Sequence, residues 1–152
     1  MKTRKTSLLK WLAMIELVIG AYNLMTGLMS AYVLLTDLDG VMASFAESGM
    51  EYSVGVLGAS VAITCIGGLI MALAGAIGMI FGSLPGKQKL PIYCGYGLLA
   101  FVLLSDIVQV AFLGSGIGLS MLFPFVLHGF YLWGAMKNKK RAGSSGIRGD
   151  GR

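Results

Sequence analysis

Five side chains carry chemistry that an apolar environment makes costly: Glu16, Asn23, Asp106, Gln109 and His128 all lie inside long apolar stretches. An acid at the centre of a membrane-crossing helix costs about 2.5–3.5 kcal/mol on insertion scales, so each one requires a partner, a proton or a water-filled cavity. Linked in space, Glu16, Asn23, Asp106 and His128 would make a path for protons or cations, with His128 able to change charge near neutrality. The structural alternative is that each acid is protonated or hydrogen-bonded and serves only to hold helix register.

These residues have to be positioned by helices that cross a bilayer. With 56% hydrophobic and 12% charged residues, and a mean hydropathy of +0.79, the chain lacks the polar surface of a water-soluble domain. A crossing helix needs about 20 apolar residues. Four stretches qualify: 8–35, 54–81, 91–113 and 119–136. The first two exceed the roughly 30 Å core at 1.5 Å per residue, so they tilt or project, and Gly67-Gly68 is the expected bend in the second. The expected fold is all-α, a single integral membrane domain (1–141) of four transmembrane helices with a disordered tail (142–152).

Charge placement sets an expected orientation. All twelve Lys and Arg residues fall before or at the very start of the first stretch (Lys2, Arg4, Lys5, Lys10), between the second and third (Lys87, Lys89), or after the fourth (Lys137, Lys139, Lys140, Arg141, Arg148, Arg152). Positive flanks resist translocation, so both termini are expected in the cytoplasm, in the plasma membrane of a bacterium. The net charge of +5 does not imply a nucleic-acid partner, because the bases cluster beside membrane spans; anionic lipid head groups are the expected contact. A cleaved signal peptide is disfavoured, since the apolar run is longer than such a region and contains Glu16.

The outer loop 36–53 carries Asp37, Asp39, Glu47 and Glu51 and no base. Asp39 is a candidate cap for a short helix with Val41, Met42 and Phe45 on one face, which would lie on the membrane surface; a solvated acidic loop is the preferred reading. Asp37-Leu38-Asp39-Gly40 matches only a fragment of a calcium loop. The tail contains Arg148-Gly149-Asp150, an integrin-type tripeptide that a cytoplasmic location makes irrelevant.

Small and polar residues form stripes. Glu16, Gly20, Asn23, Gly27 and Ser30 share one face of the first helix; Ser60, Thr64, Gly67, Met71, Gly75, Gly78 and Gly82 share one face of the second. Small residues let backbones approach where lipid supplies no hydrophobic drive, so Gly20, Gly27, Gly67, Gly75, Gly78 and Gly82 are expected at helix contacts. Depth matching suggests two meetings. Glu16 stands about 9 Å above Lys10 and His128 about 13 Å above Lys137; Asn23 is about 20 Å up and Asp106 about 22 Å above Pro91, with Gln109 one turn further out. Pro124 is expected to kink the last span.

Other chemistries find little support. One histidine cannot supply both axial ligands of a membrane haem without a second copy. Cys65 and Cys94 lie inside spans at different depths, so neither a disulfide enzyme nor a zinc site is indicated, and both read as small core residues. The ten methionines read as gap-fillers. No phosphate loop, nucleophile elbow or metal motif occurs, and no cofactor, metal or enzymatic activity is expected.

The stretch Leu12-Ala13-Met14-Ile15-Glu16-Leu17-Val18-Ile19-Gly20 superficially resembles the small multidrug resistance transporters. In that family a membrane Glu at this place exchanges protons for cationic drugs. The resemblance covers about one helical turn on either side of Glu16. A long acidic outer loop and a strict charge bias depart from that family, so no family is assigned.

Two functions are expected. The first is a non-enzymatic membrane component that works by lateral association, as an accessory or regulatory subunit or as a homo-oligomer. The second is an oligomeric proton- or ion-coupled transporter of small solutes with Glu16 and Asp106 as the coupling acids.

Overall fold

The computed structural model describes residues 8–82, 84, 87–112 and 118–146. Among these the chain is all-helical: α1 (Leu8–Thr36), α2 (Leu38–Glu47), α3 (Val54–Phe81), α4 (Lys89–Phe112), a 3-10 turn (Leu119–Met121) and α5 (Leu122–Gly146). Three of these helices, α1, α3 and α4, are long and apolar enough to cross a membrane. α5 does not meet that measure, because its apolar part, Leu122–Met136, passes directly into Lys137, Asn138 and Lys139, so no stretch of crossing length within the helix stays apolar.

The helix runs on through 142–146, the first residues of the expected tail. Extending an existing helix by a residue is far easier than starting one, so Lys, Arg and Ala residues between 137 and 142 carry it past the apolar segment and the weaker formers after them add only its last turn. Residues 147–152, including Arg148-Gly149-Asp150, lie outside the described residues.

Pro124 does not kink a span. It is the third residue of α5, as Pro91 is of α4. In a first turn the missing N–H costs nothing, because that position has no helical acceptor to reach. Likewise α3 is unbroken through Gly67-Gly68.

The acidic loop after α1 does contain a helix, α2, but Asp37 caps it rather than Asp39: Gly40 N donates to Asp37 Oδ1 at 3.2 Å. The Asp37–Gly40 fragment is therefore a helix start, with the carboxylate turned onto the backbone. Leu38, Val41, Met42 and Phe45 are half-buried and lie at helical spacing on one face, with Phe45 edge-on to Tyr52 at 5.2 Å. Gly49, with φ of 73°, reverses the chain after α2 in a conformation that glycine takes readily. Asp37→Ala should cost α2 about 1 kcal/mol and Asp39→Ala almost nothing, as hydrogen exchange at amides 40–47 would report.

The long helices form a ring in which α1 meets α3, α3 meets α4, α4 meets α5 and α5 meets α1. The α1 and α3 pairing is the most extensive and runs antiparallel. Leu9 faces Gly82, Ala13 faces Gly78, Leu17 faces Gly75, Leu24 faces Gly68 and Cys65 faces Gly27. A Cβ on Gly75 would sit 2.5 Å from Leu17 N, and one on Gly68 would sit 2.9 Å from Gly20 O. Only glycine allows backbones this close. Two bonds from α5 show that it runs parallel to α3: Tyr131 Oη donates to Ala74 O at 2.8 Å, and Asn138 Nδ2 donates to Gly82 O.

This arrangement gathers Lys10, Lys87, Lys89, Lys137 and Lys139 at one end of the molecule and α2, with its acids, at the other. At the basic end Leu9, Ala13, Ala74, Leu98, Tyr131 and Ala135 form a closed core.

Candidate functional site

Directly above that core lies the only acid–base pair at salt-bridge distance among the described residues. His128 Nδ1 is 2.8 Å from Glu16 Oε1, and both residues are fully buried, at 1% and 0% exposure. Glu16 lies one turn above Ala13 on α1, and His128 one turn above Tyr131 on α5, so helical periodicity aims both into the ring. With a carboxylate as acceptor, Nδ1 carries the hydrogen and Nε2 is left for other partners. Glu16 Oε2 has no hydrogen-bond partner among the described residues.

Beyond the pair the ring opens into a cavity of about 420 Å³ lined by residues of all four long helices. This falls within the roughly 300–1,000 Å³ of small-molecule sites. Its polar lining is Asn23, Thr64, Gln109 and His128; Met71, Phe101, Phe123 and Pro124 are among its apolar walls. The order along each helix is the same. On α1 it runs Ala13, Glu16, Asn23; on α5, Tyr131, His128, Pro124; on α3, Ala74 precedes Met71 and Thr64; on α4, Leu98 precedes Phe101 and Gln109. A packed floor at the basic end, the acid–imidazole pair and then a chamber with a few polar groups in an apolar wall are thus stacked in sequence.

Depth matching anticipated the meeting of Glu16 with His128. The second meeting does not occur as a hydrogen bond. Asn23 Nδ2 instead contacts Met71 Sδ at 3.8 Å, and Asp106 is half-buried with Oδ2 lacking a partner among the described residues. Gln109 reaches the cavity lining; Asp106, one turn before it, does not. Depth along a helix is additive in residue number, but the direction a side chain points depends on how its helix is rotated against its neighbours.

The glycines also divide differently from the stripe. All six expected glycines are at helix contacts, and Gly20, Gly27, Gly75, Gly78 and Gly82 lie in the α1–α3 pairing. Gly67 faces Phe101 of α4, while its neighbour Gly68 carries the α1 contact and was not in the expected set. Cys65, Gly68, Ala72 and Gly75 are small residues spaced by three and four, a signal present in the sequence one residue away from the stripe chosen. Tyr131 and Asn138 were also missed; a Tyr and an Asn near a membrane boundary look like interface residues until their acceptors are known.

Comparison with protein-family models, curated proteins and solved structures finds no match. The site has to be interpreted from its own geometry.

Proposed function

We propose that the chain is a proton-coupled carrier of small solutes, with α5 as a fourth crossing helix and both termini on the cytoplasmic side of a bacterial plasma membrane. The observation that carries this reading is the buried Glu16–His128 pair beside a cavity whose mainly apolar wall holds the polar groups of Asn23, Thr64, Gln109 and His128. Its His128 lines a space large enough for a solute, which a pair that only holds helices together does not need.

In the resting pair the carboxylate accepts from the imidazole, so a buried charge is answered by a partner. A proton taken up at Oε2, the bare oxygen, neutralises the acid and weakens the charge-assisted bond that holds Nδ1, which changes how the imidazole binds a molecule in the cavity through Nε2. Binding and protonation are then coupled through one side chain, and coupling of this kind is reciprocal. Asp106, with its own bare oxygen one turn from Gln109, is a second candidate acid on the outer side.

Lateral association loses part of its support, because the glycine stripes are occupied within the chain. It keeps one observation in its favour: an open apolar trough of about 390 Å³ on the outer face of α5, lined by Phe125, Val126, Gly129, Phe130 and Trp133. Native mass spectrometry from the protein's own membranes separates the readings, since a stoichiometric unlike partner favours an accessory subunit.

The carrier reading is tested in proteoliposomes loaded with a pH-sensitive dye and challenged with small neutral and cationic amphiphiles. Solute-dependent proton movement should fall at least tenfold in Glu16→Gln, which keeps the size and hydrogen-bonding of the side chain but cannot exchange a proton. Undiminished coupled flux in that variant would falsify the assignment.

A further inference from the structure

A cleft at the basic end, on the outer surface between α4 and α5, has a different character from the cavity. Two adjoining hollows make it up, of about 260 Å³ and about 360 Å³, and they share Ile92 and Lys139. The first is completed by Lys89 and Tyr93, the second by Tyr96 and Met136. On α4 the residues Lys89, Ile92, Tyr93 and Tyr96 follow at three- and four-residue spacing, and on α5 Met136 and Lys139 do the same. The cleft is therefore cationic at its mouth and apolar about 10 Å further along, the depth of seven helical residues.

The two lysines at the mouth are not used elsewhere among the described residues. Lys87 lies over the Phe81 ring at 5.3 Å and Lys137 over the Trp133 ring at 4.6 Å, whereas Lys89 and Lys139 are exposed and have no such partner. No described acid can answer them, because Asp37, Asp39, Glu47 and Glu51 are at the other end and Glu16 and Asp106 lie deep in the helices.

We propose that this cleft is a binding site for one anionic phospholipid, its phosphate held between Lys89 and Lys139 and an acyl chain laid along Ile92, Tyr96 and Met136. Basic pockets between membrane helices on the cytoplasmic side take such head groups. Tyr93 and Tyr96, both more than half exposed at 65% and 55%, place hydroxyls at the level of the glycerol ester region, where tyrosine rings settle. The apolar continuation selects lipid over a free phosphate, which would leave that wall uncovered. The site is independent of proton coupling.

Native mass spectrometry of the full chain in micelles doped with phosphatidylglycerol or phosphatidylcholine tests it. The wild type should retain one phosphatidylglycerol in preference to phosphatidylcholine. Lys89→Gln/Lys139→Gln should weaken that retention about thirty-fold, from roughly 1 kcal/mol per base. Lys87→Gln/Lys137→Gln removes the same charge outside the cleft and should change it less than threefold. Met136→Trp fills the apolar arm without altering charge and should also release the lipid. Equal loss in both lysine pairs would mean general surface attraction and overturn the site, as would full displacement by millimolar glycerol 3-phosphate, which needs no acyl chain. Unchanged retention in both the cleft pair and Met136→Trp overturns it too.

Discussion

Gly75→Leu and Gly68→Leu are expected to destabilise the protein by about 3 kcal/mol or more each. The Cβ of either would meet α1 backbone, which cannot rotate away as a side chain can. Insertion of bulk into a packed interface costs about 1–3 kcal/mol when neighbours can shift, and here the whole helix has to move. Gly97→Leu and Gly58→Leu are the controls, since a Cβ there meets nothing within 4 Å, and both should stay within about 0.5 kcal/mol. Thermal unfolding in detergent, followed by size-exclusion fluorescence, reads the difference. Equal losses at all four positions would show that α1 and α3 are not held backbone to backbone.

The second large effect concerns the buried pair. Removing one member leaves the other buried and unanswered, so Glu16→Leu and His128→Leu should each cost about 2–3 kcal/mol. The double variant should cost clearly less than the sum, because no orphan remains. Glu16→Gln should cost under about 1 kcal/mol, since an amide oxygen can accept the same bond and interhelical bonds in membranes average roughly 0.6 kcal/mol. The set separates two roles. A pair that only holds helices together predicts that Glu16→Gln is silent in every assay; a coupling pair predicts a stable protein that has lost solute-driven proton movement. Additive single losses in the double variant would argue that the two side chains are not energetically joined.

The closeness of Glu16 and His128 was legible from distance to the nearest boundary lysines, because helix rise is constant and the bases mark a common plane. The same arithmetic placed Asn23 and Asp106 at one level, yet they do not bond. Level is a one-dimensional quantity. Contact also requires that two helices turn the right faces toward each other, and residues 100° apart around a helix, such as Gly67 and Gly68, are claimed by different neighbours. The caps followed a similar rule: Asp37 and Asp39 are equivalent as residue types, and the backbone's exit from α1 decided which became the cap.

By itself the amino-acid sequence determined the helical class, the long apolar helices and the separation of bases from acids. Hydrophobic length and charge are properties of contiguous residues, readable one segment at a time. Only the tertiary structure decided that the glycine stripes are spent inside the chain, that His128 closes onto Glu16, and that a cavity opens above them. Those depend on the rotation and separation of four helices at once, and a cavity is a space between elements that no single segment encodes.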